Sequence, residues 1–195
     1  MGNDREHAPE RIRAFVAIRL STATIEAIGA MVAKVKELGA DVAWIKPANF
    51  HLTLRFLGDQ VSVERIEPLK AALTLVARET ASFAIAARGI GAFPDWHGAR
   101  VVWVGLESAE LMTLAARVEA SAVAAGFERE HRPYTAHLTV GRVRGFRRWR
   151  ETQRALKEWS AHDFGGSQIE SMTLYRSILS PGGSQYLPLA EFRFG

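Results

Sequence analysis

Residues 51–54 read "HLTL", and residues 137–140 read "HLTV", the same pattern repeated 86 positions later (137 − 51 = 86). With six His in the chain, a His-Leu-Thr match is expected by chance only about 0.03 times, so two copies are a signal. In a strand, side chains alternate between faces. His51 and Thr53 therefore share one face, about 7 Å apart along the strand, while Leu52 and Leu54 point into a core. His137 and Thr139 do the same over Leu138 and Val140. Two such strands side by side would line a groove with two imidazoles and two hydroxyls.

That set suits phosphate chemistry. Imidazole titrates near pH 6.5, so one ring can accept a proton while the other, charged, donates one. Threonine hydroxyls can donate to non-bridging phosphate oxygens. A lone strand His is ordinarily a surface residue, and it is the second copy in the same context that makes the catalytic reading. A metal fits poorly: the chain has no Cys, neither motif has His-x-x-x-His or Glu-rich spacing, and Thr is a poor zinc ligand. No cofactor is expected. Gly89 and Gly91 do not complete a dinucleotide fingerprint, and neither a Walker sequence nor a G-x-S-x-G elbow occurs. His97 and His131 read as exposed turn residues, and His7 and His162 carry no supporting pattern. Trp44 and Trp103 read as core fillers.

The flanking sequence alternates strands and helices. Strands are expected at "IRAFVAIRL" (12–20), "DVAWIK" (41–46), "FHLTLRFLG" (50–58), "ARVVWVGL" (99–106) and "HLTVGRV" (137–143). Helical spacing recurs at Ile25, Ile28, Val32 and Val35, at Ile66, Leu69, Leu73 and Val76, and at Leu111, Leu114 and Val118. A basic helix is expected around 149–160, and two closing strands at "MTLYRSIL" and "YLPLAEFRF" flank a turn at "SPGGS". Each half thus offers strands, a helix and one His-x-Thr strand. The reading is an α+β fold of two pseudo-equivalent lobes, about 1–85 and 86–195, in a single bilobal domain with allowance for strand exchange.

The 195 residues are 48% hydrophobic and 24% charged, ordinary for a globular protein. The opening "MGNDREHAPE" has no apolar stretch, and Glu6 stands where a myristoylation signal needs Ser or Thr. No apolar run reaches the length of a membrane helix, so a cytoplasmic monomer is expected. The net charge is +4, but five arginines (142, 144, 147, 148, 150) and no acid lie between Arg142 and Arg150. They form either a solvated loop or a surface that tracks a polyanion.

Taken with their contexts, the motifs resemble those of the 2H phosphoesterase superfamily, in the branch of RNA 2',3'-cyclic phosphodiesterases, also called 2'-5' RNA ligases. "RAFVAI", "WIKPANFHLTLRFLGD", "GAFPDWHGARVVWVGL", "RPYTAHLTVGRVR" and "LYRSILSPGGSQYLPLAEFRF" carry the likeness over nearly the full length. It departs at Ala136, where many relatives have Pro, and at Val140-Gly141, which replaces a more apolar pair. The resemblance implies two antiparallel sheets lining a central cleft, with helices outside. It implies metal-independent opening of a terminal 2',3'-cyclic phosphate on RNA, tRNA fragments included, to a 2'-phosphate, with reversible 2'-5' ligation as the same chemistry run backwards. It implies His137 as proton acceptor, His51 as proton donor, Thr53, Thr139 and Arg142 on the phosphate, and Phe15 stacking on the terminal base. Two alternatives stay open: a small cyclic substrate such as an ADP-ribose cyclic phosphate, and a non-catalytic RNA- or nucleotide-binding module. The second has no need of two proton-transfer groups.

Overall fold

The computed structural model describes residues 10–180 and 183–195; His7 and the centre of the expected 180–184 turn lie outside them. Besides two single-turn 3-10 helices at Pro47–Asn49 and Val63–Arg65, the described residues form nine strands and four α-helices. In chain order these are β1 (Arg11–Ile18), α1 (Thr22–Lys36), β2 (Val42–Trp44), β3 (Leu52–Ser62), α2 (Ile66–Arg78), β4 (Phe83–Phe93), β5 (Val101–Glu107), α3 (Ala109–Ala124), β6 (His137–Val143), α4 (Trp149–Lys157), β7 (Asp163–Ile169), β8 (Ser171–Ser180) and β9 (Gly183–Arg193).

The sheet order β7-β4-β5-β6-β3-β1-β8-β9 falls into two four-stranded antiparallel halves, with β2 added onto β6. They meet at a single register pair, Leu52 opposite Leu138. Counted outward from that joint, β3-β1-β8-β9 and β6-β5-β4-β7 follow one plan, and β1–α1–β3 recurs as β5–α3–β6. The repeated tetrapeptide therefore marks equivalent places in two halves. The halves are not contiguous stretches of chain. β8 and β9 close the half that β1 and β3 begin, whereas β2 crosses to β6.

Local chemistry explains the main elements. Ser21 caps α1 by accepting from the Thr24 amide, Lys34 and Lys36 sit at its last turn, and Gly39 follows at φ 70°. Ile28, Val32 and Val35, expected on one face, are all buried, as are Leu69, Leu73 and Val76 of α2 and Leu111, Leu114 and Val118 of α3. These stripes close over the sheet, with Leu52, Leu54, Leu138 and Val140 beneath them. Each such side chain contributes about 1.5–3 kcal/mol by leaving water. The expected helix at 149–160 runs only from Trp149 to Lys157. No helix among the described residues is long and apolar enough to cross a membrane.

Candidate active site

The joint between the halves builds the site. Leu52 and Leu138 face the core, fully buried, so their neighbours face the other way. Antiparallel register around that pair sets His51 across from Thr139 and Thr53 across from His137. The two imidazoles occupy one diagonal of this square and the hydroxyls the other. All four line one cleft of about 750 Å³. Neither hydroxyl has a side-chain partner among the described residues, so both are free to donate.

The two rings are held alike. His51 Nδ1 lies 2.7 Å from the Asn49 carbonyl, and His137 Nδ1 lies 2.7 Å from the Thr135 carbonyl. A carbonyl only accepts, so in both rings Nδ1 carries the hydrogen and Nε2 is left for the cleft. Each ring also leans on aromatics. Phe15 is tilted against His51 at 4.9 Å and Tyr186 meets it edge-on at 5.1 Å. Phe93 and Trp103 meet His137 at 5.1 and 6.4 Å.

Burial lowers the pKa of both histidines, against the raising effect of the carbonyl bonds. The Arg142 charge lowers both further, and Arg19 and His137 add to the effect on His51. In the free protein the neutral imidazole is favoured on both sides. An anionic substrate would restore the proton to one of them.

Arg142 reaches this face through an irregularity. It lies five residues after His137, an odd spacing that in a regular strand points away from it. The β5–β6 register pairs Val102 with Gly141 but Trp103 with Thr139, so β6 carries one extra residue, Val140. This bulge reverses the alternation and turns Arg142 into the cleft. At Gly141 a Cβ would meet the Trp44 ring at 2.9 Å and Val42 at 2.8 Å, so glycine is what lets β2 lie there.

Phe15 lines the cleft as expected, yet it is only 5% exposed. Its ring is taken up by His51, Tyr175 and Tyr186, leaving little face for a base. Trp44 and Trp103, expected in cores, are half-buried: Trp44 is a wall of the cleft and Trp103 stands behind His137. Sequence reasoning missed Tyr186, Lys46, Arg13, Arg132 and Asn49 among the cleft residues. Tyr186, Arg13 and Arg132 come from other strands and a loop, where no spacing relative to the motifs would have found them, whereas Asn49 stands two residues before His51 as Thr135 does before His137. His97 and His131 are exposed, and His162 sits between Trp159 and Phe164, away from the site. Among the described residues no group of three His, Asp or Glu side chains gathers to hold a metal.

Comparison with known proteins points to the same class of chemistry. The family model of LigT-like phosphoesterases matches residues 18–103, a stretch that contains the first motif. An RNA 2',3'-cyclic phosphodiesterase of Methanothermobacter thermautotrophicus is 32% identical over 94% of this chain and 99% of its own. One from Archaeoglobus fulgidus is 35% identical over 93% of this chain and 99% of its own. Among solved structures, a Thermus thermophilus protein has a TM-score of 0.75 at 25% identity, covering 94% of this chain and 98% of its own. Escherichia coli LigT, solved with ATP, has a TM-score of 0.72 at 25% identity over 95% and 99%. With two relatives above 30% identity along nearly their whole length, the chain belongs to the family of LigT-like phosphoesterases, the RNA 2',3'-cyclic phosphodiesterases.

Proposed function

We propose that the protein hydrolyses the 2',3'-cyclic phosphate at the 3' end of an RNA to a 2'-phosphate, using His137 as base and His51 as acid. The observation that carries this reading is the matched pair of imidazoles, each locked by a backbone carbonyl so that Nε2 faces the same cleft. Binding alone has no use for two such nitrogens. His137 Nε2 takes a proton from water as the water oxygen bonds to phosphorus. The P–O3' bond breaks, and protonated His51 Nε2 delivers its proton to the departing O3'. One water is consumed, a 3'-hydroxyl is formed, and the two rings exchange protonation states. Thr53, Thr139 and Arg142 meet the non-bridging oxygens and stabilise the charge that grows there. The surroundings of the two rings are so alike that the order of roles is set by which way the substrate lies. The family resemblance orders them as above. Product regiochemistry tests the leaving group: with EDTA present, an oligonucleotide ending in 2',3'-cyclic phosphate should yield a 2'-phosphate, and a 3'-phosphate would make O2' the oxygen that departs. Reversal, with a 5'-hydroxyl replacing water, would give a 2'-5' linkage.

A further inference from the structure

The cleft walls carry five cations, Arg13, Lys46, Arg132, Arg142 and Arg144, and no carboxylate. The β3–β6 register places them at two ends. Beyond Thr53 lie Arg13, paired with Asp59, and Arg132, paired with Glu130 at 2.8 Å. Beyond His51 lie Lys46, Arg142 and Arg144, whose side chains have no hydrogen bond or ion pair among the described residues. One end is neutralised and the other retains its charge.

The charged end continues into an ordered strap. The amides of Arg144 and Gly145 both donate to the Asp41 carbonyl, at 2.9 and 3.3 Å. A Cβ on Gly145 would come within 2.6 Å of Asp41 Oδ2, the free end of an exposed side chain that can turn aside, so the strap is held by these two amide hydrogen bonds rather than by the glycine. Phe146 follows, 60% exposed, at most about 7 Å of chain beyond Arg144. Arg148 is used structurally, in left-handed conformation at φ 55° and donating to the Leu38 carbonyl at 3.3 Å. Arg147 and Arg150 are exposed. An exposed aromatic by itself needs no explanation. A pinned aromatic interleaved with unpaired guanidiniums, continuous with a cationic cleft, has the make-up of a single-strand nucleic-acid platform.

Resting on the proposed reaction, we propose a path for the upstream strand: the nucleotides preceding the cyclic phosphate leave the cleft single-stranded over Lys46, Arg142 and Arg144. Phe146 stacks one of the upstream bases, and Arg147 and Arg150 hold phosphates beyond it. A cyclic mononucleotide fills the cleft alone and forgoes these contacts.

The test compares uridine 2',3'-cyclic phosphate with a tetranucleotide ending in the same group, in wild type, Phe146→Ala and the Arg147→Ala/Arg150→Ala double variant. These side chains are exposed and outside the histidine cleft, so the mononucleotide kcat/KM should not change. The tetranucleotide KM should rise roughly tenfold in Phe146→Ala. In the double variant the slope of log KM against log salt should fall by about 0.7 for each lost phosphate contact. Equal effects on both substrates, or none on the tetranucleotide, would overturn the proposal, as would a blunt RNA duplex competing as well as the single strand. If wild type opens neither substrate, the reaction itself falls. The platform is then judged by anisotropy of a labelled tetranucleotide, where the same variants must still weaken binding roughly tenfold.

Discussion

Replacing Phe15 by leucine would separate two jobs that this side chain can have, bracing His51 or stacking on the substrate base. The ring makes three aromatic contacts, to His51 at 4.9 Å, Tyr186 at 5.1 Å and Tyr175 at 5.3 Å. Such pairs contribute about 0.5–1.5 kcal/mol each beyond the area they bury, together about 3 kcal/mol. Leucine keeps most of the buried area and recovers part of the contact, so a net loss of about 2 kcal/mol is expected. For a chain of this size that lowers Tm by about 4–8 °C. Burial is the largest cause of the low His51 pKa, and a looser ring sees more water. Its pKa should therefore rise toward the ordinary histidine value, and misplacement of Nε2 should cost roughly tenfold in kcat/KM. The assay is a histidine NMR titration alongside kinetics on cyclic-phosphate substrates with and without a terminal base. An unmoved His51 titration, with a KM rise confined to the substrate that carries a base, would refute the bracing role.

Other consequences can be checked in the same way. Because burial depresses both histidine pKa values in the free protein, the bell-shaped profile of kcat/KM should peak on the acid side of pH 6.5, while kcat should peak at higher pH because bound phosphate restores a proton; a profile that climbs steadily from pH 5 to 9 would contradict the pairing. His51→Ala and His137→Ala should each lower kcat by roughly 10²–10⁴-fold with little change in fold, and full activity in either would end the two-imidazole mechanism. Arg142 lowers the pKa of both rings, so Arg142→Gln should raise both titrations and raise KM together; a change in KM alone would place Arg142 away from the histidines. Gly141→Ala would set a methyl within 2.9 Å of Trp44 and 2.8 Å of Val42, costing about 1–3 kcal/mol. An unchanged Tm would show that β2 yields freely.

The motif strands and three amphipathic helices were legible because their periodicity is strong and their buried faces are aliphatic. "FAIAARGIGAF" is the contrary case. Its alanines and glycines have little preference for strand, yet it forms β4, paired on both edges by β5 and β7. The same holds for "DFGGSQI", which is β7. These strands exist because their neighbours supply partners, which local sequence does not record. Within the site, the gathering of His51, Thr53, His137 and Thr139 in one cleft followed from the repeated motif together with strand alternation. Arg142 did not, since the inserted Val140 that turns it is visible only against the register of β5. Trp44 and Trp103 misled because large aromatics serve equally in a core and along a wet wall.

The carbonyls of Asn49 and Thr135 that hold the two imidazoles have a consequence for how the chain can vary. Main-chain oxygens cannot be removed by changing a codon. Wherever the backbone enters β3 and β6 along its present path, each ring keeps its Nδ1 hydrogen and offers the same nitrogen to the cleft, whatever side chains stand at 49 and 135. The tautomers on which acid–base work depends are thereby set by the path of the main chain, which at position 49 is itself tied to β9 by the Asn49 side-chain amide donating to the Ser184 carbonyl at 2.8 Å.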